Sequence, residues 1–262
     1  MSNPSYSTPA LDKGIDILEY LTVQNRPVSQ KTIAQALERT PSEIFRMLMT
    51  LVERGYVLKS DDERYTLTLR MFSMSRELPP LERLLSFAQP LMRELVQKSW
   101  QSCHIGIEDA GNIVIIDSAP SPGNWALSLR PGSVIGLTNT STGRVLAAFR
   151  KADEAQKLFR RHQPAIGEPP CTEKHFMNRL KPIQDKGEEI TSSDTTQGVI
   201  NMAFPVFDNR HKAIAVVNCP FLHRIDSFDV PDQSEVAVFF RNFAAKLTEY
   251  YGGNSTLPEN PA

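Results

Sequence analysis

The signal that most constrains how this chain folds is the start of one helix, at Thr40-Pro41-Ser42-Glu43. A threonine at the N-cap, a proline at the first helical position and a glutamate at the third satisfy backbone N–H groups that a helix start leaves free. The apolar residues that follow at the spacing of one helical face are Ile44, Leu48, Leu51 and Val52. Gly55 then marks the C-terminal end. We therefore predict a helix from Thr40 to Arg54.

The surroundings of this helix predict a winged helix-turn-helix. Before it, apolar residues of 11–21 recur at helical spacing, and Ser29 is placed to cap a short helix that begins at residue 30. After it, residues 56–58 and 65–69 are apolar or alternate in polarity around a polar turn, which is typical of a β-hairpin. Three short helices and a hairpin within about sixty residues form this fold, with Thr40 to Arg54 as its recognition helix.

The N-terminal part of the chain resembles one family specifically. The segments that carry the resemblance are LDKGIDILEYL, VSQKTIAQAL, SEIFRMLMTLVERGYV and RYTLTLRMF. They are similar to the N-terminal domain of the isocitrate-lyase-regulator (IclR) family of bacterial transcription factors. The resemblance implies a transcriptional regulator, a repressor in preference to an activator, that binds double-stranded operator DNA and assembles as a homodimer or as a tetramer formed by two dimers.

The exposed face of the recognition helix carries the residues expected at DNA. Arg46 is the natural reader of a base edge, because a guanidinium can bond guanine O6 and N7 together; the alternative is a solvated surface residue. Glu43 either serves the helix cap or accepts a hydrogen bond from cytosine N4. The helix residues expected at DNA are Thr40, Ser42, Glu43, Phe45, Arg46 and Met49. The candidate phosphate contacts are Lys31, Arg39, Lys59 and Arg64.

Charge alone argues against a nucleic-acid partner. The chain has 29 Lys+Arg and 30 Asp+Glu, for a net charge of -1, and residues 1–76 hold ten basic and nine acidic residues. Such a weak field attracts phosphate poorly. We therefore expect DNA contacts to be repeated by the symmetry of a homo-oligomer.

A linker and a second domain are predicted after the hairpin. Pro79-Pro80 breaks the helical pattern, and a new helix is expected from Gln89-Pro90. The linker carries an apolar stripe of Leu81, Leu84, Leu85 and Ala88. Because one thin helix cannot bury this stripe alone, we expect it to pack against a second subunit. The predicted bounds are a winged helix over 1–75, a linker helix over 76–88, a second domain over 89–254 and a disordered tail over 255–262.

The remaining pattern predicts an α+β fold. Strands are expected at 104–108, 113–117, 125–129, 134–137, 199–207 and 213–219, and helices from 140, at 153–162, 172–187 and 231–251. The hairpin-like order indicates a mostly antiparallel sheet. STGRVLAAF, the Gly187 to Gly198 spacing and FPVFD resemble the GAF-like, mixed α/β effector-binding domain of the same family, so the resemblance extends from Leu11 to about Tyr251.

Two asparagines interrupt apolar strands of this domain. If strands 199–207 and 213–219 form a hairpin centred on Asn209-Arg210, Asn201 and Asn218 lie directly opposite each other. Buried amides need hydrogen-bond partners, and a ligand with carboxylate or hydroxyl groups would supply them. The alternative is a structural pair in which the two amides bond each other or a buried water.

The resemblance implies an effector site at these asparagines, at Thr191 and at the start of the helix after Thr140. Family members often have Cys, Ser and Asp there, which implies the same site with a different small organic acid. Thr140-Ser141-Thr142 supply hydroxyls and free N–H groups suited to a carboxylate, or serve only as a cap. Arg130 and Arg144 either neutralise an acid or are solvated. The expected site residues are Trp125, Leu127, Thr140, Ser141, Thr142, Thr191, Asn201, Val216 and Asn218.

No enzyme is predicted. Cys103 and His104 are adjacent in an expected strand, so their side chains point to opposite faces and cannot act as nucleophile and base. A Cys-dependent GAF-type reductase and a winged-helix sensor that contacts RNA or protein are the alternatives. Three widely spaced cysteines signal no disulfide framework or metal site, and no cofactor is expected. With no leader pattern and no membrane-length apolar run, we expect a cytoplasmic protein.

Overall fold

A computed structural model describes residues 8–226 and 228–253. The chain divides into two units, with the boundary between Glu82 and Arg83. The expected tail over 255–262 lies outside the described residues, as do the first seven residues. The fold class is α+β, as predicted.

The first unit is the winged helix-turn-helix that the sequence predicts. Its elements are α1 (Pro9–Thr22), β1 (Val28–Ser29), α2 (Gln30–Ala36), α3 (Pro41–Glu53), β2 (Val57–Lys59), β3 (Arg64–Leu67) and α4 (Arg70–Arg76). Ser29 caps α2 by accepting a hydrogen bond from Thr32 N at 3.2 Å. The strands form an antiparallel sheet in the order β1-β3-β2, where two-residue β1 is too short to give a sequence pattern. Ile17, Ile33 and Ile44 are fully buried in the core.

The helix expected to begin at Gln89-Pro90 is instead part of a longer one. α5 runs without a break from Pro79 to Ser99, so the double proline begins a helix and Pro90 lies inside it. The expectation that the apolar stripe needs a second subunit is also wrong for Leu84 and Ala88. Both are buried in a core of the second unit together with residues of the sheet and of the last helix.

The second unit is a six-stranded antiparallel sheet with helices on both faces. Its strands are β4 (Cys103–Asp109), β5 (Asn112–Ala119), β6 (Val134–Ile135), β7 (Glu189–Ser192), β8 (Val199–Phe207) and β9 (Ala213–Leu222), in the order β6-β5-β4-β9-β8-β7. The remaining helices are α6 (Ser141–Ala148), α7 (Ala152–Arg161), α8 (Glu173–Lys186) and α9 (Gln233–Tyr250). Helices α5 and α9 cover one face, and α6 and α8 cover the other.

One predicted strand does not form. Residues 125–129 are an exposed loop, in which the Trp125 side chain is 82% exposed. Alternation of apolar residues predicted a strand there, but the segment has no hydrogen-bonded neighbour in the sheet described.

The register of the β8–β9 hairpin also differs from the symmetric one. Asn201 pairs with Pro220, and Asn218 pairs with Ala203. The Asp208 carboxylate accepts hydrogen bonds from Arg210 N and Lys212 N in a lengthened turn, and a bulge precedes this turn between Val206 and Phe207. The resulting shift of two residues keeps both asparagines on the same face, because side chains alternate with a period of two. They are diagonal neighbours and not direct partners.

Candidate nucleic-acid interface and ligand site

The start of α3 is held by the glutamate of the predicted cap. The Glu43 carboxylate accepts hydrogen bonds from Thr40 N at 2.8 Å and Thr40 Oγ1 at 2.9 Å, and Lys13 Nζ of α1 lies 3.3 Å away. The bonds from Thr40, followed by the lysine, lower the pKa of Glu43 to about 2. Glu43 therefore serves the cap, which was one of its two predicted roles.

Behind this cap, α3 presents an exposed face. Ser42, Phe45 and Arg46 are exposed and Met49 is half-buried, while Ile44 and Leu48 point into the core. The Arg46 guanidinium has no hydrogen bond or ion pair with another described residue. A long cation next to a helix N-terminus is available for a phosphate or a base edge.

The flanking cations divide into two groups. Lys31, in the first turn of α2, and Arg39, between α2 and α3, are both exposed. In the hairpin, Lys59 Nζ lies 2.6 Å from Glu63, and Arg64 Nε lies 2.9 Å from Asp62. Exposed ion pairs of this kind are weak and exchange readily for a phosphate. All predicted DNA-contact residues thus lie on α2, on the connection from α2 to α3, on α3 with its cap, or on the hairpin of one unit.

In the second unit, α6 begins close to the sheet. Thr140 caps the helix by accepting from Gly143 N at 3.1 Å and donating to Gly136 O at 2.6 Å. Ser141 and Thr142 are buried. Gly106 of β4 lies beneath Thr142, and a Cβ on this glycine would lie 2.5 Å from Thr142 Cγ2. Glycine therefore allows the N-terminus of α6 to approach the strand closely.

Polar side chains line the sheet on the side that faces α6. Thr191 pairs with Asn201 across β7 and β8, and His104 pairs with Asn218 across β4 and β9. His104 Nε2 lies 3.5 Å from Thr142 Oγ1, which connects the strands to the start of α6. The structure therefore brings together Thr142, Thr191, Asn201 and Asn218, with Val216 buried on the same face. Sequence reasoning missed His104, because β4 and β9 are distant in the chain and no periodicity predicts their pairing.

Two atoms of this cluster lack hydrogen bonds. His104 Nδ1 and Asn218 Oδ1 are buried and have no partner among the residues that the structure describes. An unsatisfied buried polar atom costs about 1–3 kcal/mol. Burial also lowers the pKa of His104 to about 4, so the ring is neutral at pH 7. A ligand that supplies hydrogen bonds here would remove this cost.

The arginines and aromatic residues predicted for the site behave differently. Arg144 is neither solvated nor available to an acid: it is 1% exposed and binds Glu189 Oε1 at 2.8 Å and Asp194 Oδ2 at 2.9 Å. It also donates to the carbonyl of Thr138 and to Ser141 Oγ. Arg130 is exposed. The expectation that Trp125 and Leu127 wall the site from a strand is wrong, because both lie in the exposed loop.

A buried acid holds the segment that leads into α6. Glu168 Oε1 accepts from Thr138 N at 2.7 Å and Thr138 Oγ1 at 2.6 Å, and Glu168 Oε2 lies 2.7 Å from His162 Nε2. Burial opposes ionisation of Glu168, but the hydrogen bonds from Thr138 and from the imidazole outweigh it and lower its pKa. The start of α6 is thus fixed from its N-terminal side.

Comparison with known proteins agrees with both halves of this architecture. The model of the IclR helix-turn-helix domain matches residues 10–61, and that of the bacterial transcriptional regulator IclR C-terminal domain matches residues 82–236. This chain belongs to the IclR family. It is a transcriptional regulator with a DNA-binding helix-turn-helix domain.

Relatives of this IclR-family chain are distant in sequence but match most of its length. KdgR of Escherichia coli (strain K12), an HTH-type transcriptional regulator, is 25% identical over 201 residues, which cover 76% of each protein. The probable transcriptional regulator SauR of Cupriavidus necator is 24% identical over 224 residues, covering 83% of this chain and 86% of SauR.

Solved structures show the same fold. The Thermotoga maritima IclR structure has a TM-score of 0.73 at 20% identity and covers 92% of this chain and 98% of that one. An IclR homolog from Microbacterium hydrocarbonoxydans, complexed with 4-hydroxybenzoate, has a TM-score of 0.73 at 15% identity, with the same coverage.

The cysteines are placed as structural residues of this regulator. Cys103 and Cys219 lie in the core under α5 and α9, on the sheet face opposite His104. Burial raises the pKa of both thiols, so neither is a ready nucleophile. The homologues are transcriptional regulators and not enzymes. In the described part of the chain, no helix is both long and apolar enough to cross a membrane.

Proposed function

We propose that this IclR-family chain is a cytoplasmic repressor that reads operator DNA with α3 and releases it when a small organic acid binds on the α6 side of the sheet. It acts as a homodimer or as a tetramer of two dimers. Effector binding shifts the population between two arrangements of the DNA-binding units, by as much as its affinity differs between them.

The observation that carries DNA reading is the exposed face of α3. Arg46 has no partner within the described chain and stands on the same surface as Ser42 and Phe45. With ten basic and nine acidic residues in 1–76, general attraction to DNA is weak. Discrimination between sequences therefore rests on a few α3 contacts that symmetry repeats.

Gel-shift titration with duplexes from the region around its own gene tests this part. We expect Arg46→Ala to weaken binding to the tightest-binding duplex by about 1–3 kcal/mol and to relax its sequence preference. Arg54→Ala, at the C-cap of the same helix, is the matched control. If Arg46→Ala weakens binding to all duplexes equally, the arginine contacts only the backbone. If no duplex is bound in a sequence-specific manner, the alternative of RNA or protein contacts is favoured.

The observation that carries effector binding is the pair of buried, unsatisfied polar atoms beside the N-terminus of α6. Backbone N–H groups at a helix start suit a carboxylate, and Asn201 and Thr191 lie half-buried at the more accessible end of the same cluster. The solved homolog that is complexed with 4-hydroxybenzoate supports a carboxylic acid as the ligand class.

A thermal-shift screen of carboxylic acids on the full chain tests the site. We expect the acids that stabilise the wild type to stabilise Asn201→Ala less, and to lower operator affinity in a gel shift. Ser234→Ala, exposed at the start of α9, is a control outside the cluster. Acids that stabilise wild type and Asn201→Ala equally would show that the site is elsewhere.

A further inference from the structure

The polar side chains on the sheet face towards α6 form the proposed effector cluster. At its buried inner end, two neighbouring side chains each have an atom without a hydrogen-bond partner among the described residues. His104 and Asn218 are directly paired across β4 and β9, and both are at most 3% exposed. Paired residues of antiparallel strands project from the same face of a sheet. The side chains of His104 and Asn218 are therefore neighbours, and neither His104 Nδ1 nor Asn218 Oδ1 has a hydrogen-bond partner in residues 8–226 and 228–253. A ligand that hydrogen-bonds to both side chains would satisfy them.

This pair has no charge at neutral pH. Burial keeps the pKa of His104 near 4, and no charged side chain on the surrounding elements reaches it as a free ion. On α6, Arg144 is bound to Glu189 of β7. On β5, Asp117 lies opposite Ile105 and so projects from the other face of the sheet.

Other charged groups near β4 are held in ion pairs. Glu108, further along the strand, binds Arg150 at the end of α6 and Arg161 of α7. His162, which follows α7, binds Glu168. The inner end of the cluster is therefore a neutral polar patch, and no cation on these elements is free to receive a carboxylate.

The hydrogen-bonding capacity of the pair selects one kind of chemical group. A neutral imidazole has one donor and one acceptor nitrogen, and a carboxamide also has donor and acceptor atoms. A hydroxyl group both donates and accepts, so it satisfies such a pair, whereas a carboxylate only accepts. An acceptor-only group would leave an acceptor of the pair unsatisfied, which strongly disfavours the wrong ligand in a buried site.

We propose that His104 and Asn218 bind an uncharged hydroxyl group of the effector. This inference rests on the proposed effector site and identifies the ligand class as a hydroxy acid, with its carboxylate at the N-terminus of α6. Thr142 connects the two ends, because it is the second residue of α6 and its Oγ1 lies 3.5 Å from His104 Nε2. One small molecule is therefore long enough to reach both.

Calorimetry with matched acids and the full-length chain tests the proposal. Each hydroxylated probe is paired with the same acid without its hydroxyls: 4-hydroxybenzoate with benzoate, lactate with propionate, and gluconate with hexanoate. We expect the tightest-binding acid to be hydroxylated and to bind at least about tenfold tighter than its partner. A tightest binder whose affinity is unchanged without the hydroxyl overturns the proposal.

Variants of the pair separate recognition from folding. In His104→Leu and Asn218→Leu, we expect the hydroxylated acid to bind no tighter than the same acid without its hydroxyls, a ratio of about one. The affinity for the acid without hydroxyls is retained. His104→Gln, which keeps a neutral donor and acceptor, restores most of the preference. His175→Gln, on the exposed side of α8, is the matched control. A His104→Leu chain that retains the full preference contradicts the proposal, as does a preference lost equally in the control.

The dependence of Kd on pH gives an independent readout. A hydroxyl bound to neutral His104 leaves Kd unchanged between pH 5.5 and 8. A carboxylate at the same place would require proton uptake, and its affinity would rise up to about tenfold for each unit that the pH falls. If acids bind the chain and cause it to release operator DNA, but their binding shows this proton uptake, the hydroxyl assignment fails and the proposed function stands. If no acid of the panel binds, both fail.

Discussion

At the scale of single residues, two carboxylates hold the starts of the two helices on which both proposed sites depend. Glu43 binds the N-cap of α3 and Lys13, and Glu168 binds the segment before α6. The first was readable from the sequence, because a capping box has fixed spacing. The second was not, because Glu168 reaches Thr138 across thirty residues of chain.

Glu43→Gln is expected to destabilise the first turn of α3. The folded-state pKa of Glu43 is lowered to about 2, so its stabilising effect is complete above its ordinary pKa near 4.5 and is lost as the pH falls towards 2. Hydrogen exchange of α3 amides should therefore be faster in the variant at pH 6, with the difference from wild type shrinking by pH 3. Glu53→Gln, at the exposed end of the same helix, is the control; equal exchange in wild type and Glu43→Gln would contradict the capping role.

Glu168→Gln removes the charge that binds His162. We expect a loss of about 1–3 kcal/mol of unfolding free energy at pH 7, measured by denaturant titration. The reason is that the buried charged carboxylate hydrogen-bonds to both Thr138 and His162, and a neutral amide weakens both interactions. The pKa of Glu168 is lowered in the folded chain, so the difference between wild type and variant should decrease as the pH falls below about 4.5. Asp185→Asn, exposed on α8, should change nothing.

At the scale of elements, the contact between α6 and β4 depends on the lack of a side chain at Gly106. Gly106→Ala places a Cβ 2.5 Å from Thr142 Cγ2, so the Thr142 side chain or α6 must shift, at a cost of about 1–3 kcal/mol. Thr142→Ser removes that methyl group and keeps the hydroxyl. We expect the double variant to regain most of the stability in a thermal unfolding experiment. Strictly additive losses would show that the two side chains do not meet.

How far the sequence predicts the elements depends on how local each signal is. Helices with caps and one-face periodicity, such as α3, were predicted within a residue or two. The sequence did not predict that α5 continues through Pro90 or that residues 125–129 form no strand. In both cases tertiary packing decides whether a local preference is followed. The asparagine pairing failed by two residues because a longer turn and a bulge moved the register. The predicted face was correct, so both asparagines still lie on the side of the sheet where the effector site is proposed.

At the scale of the whole molecule, we expect the weak charge to make DNA binding depend on contacts that a homo-oligomer repeats. The net charge of -1 leaves little non-specific attraction to phosphate. A duplex that carries both halves of the operator should bind at least about a hundredfold tighter than a duplex with one half. Fluorescence anisotropy at fixed salt measures both affinities. Equal affinities for the two duplexes would mean that a single DNA-binding unit suffices.

The buried thiols provide a way to measure how often the second unit opens in the native protein. Cys103 and Cys219 lie in the closed core of the second unit, whereas Cys171 is only half-buried. An alkylating reagent should therefore modify one thiol quickly and the other two only when the sheet and its helices separate. The slow labelling rate counts those openings in the native protein without any added probe. Any ligand that binds the folded second unit will slow that rate in proportion to its occupancy.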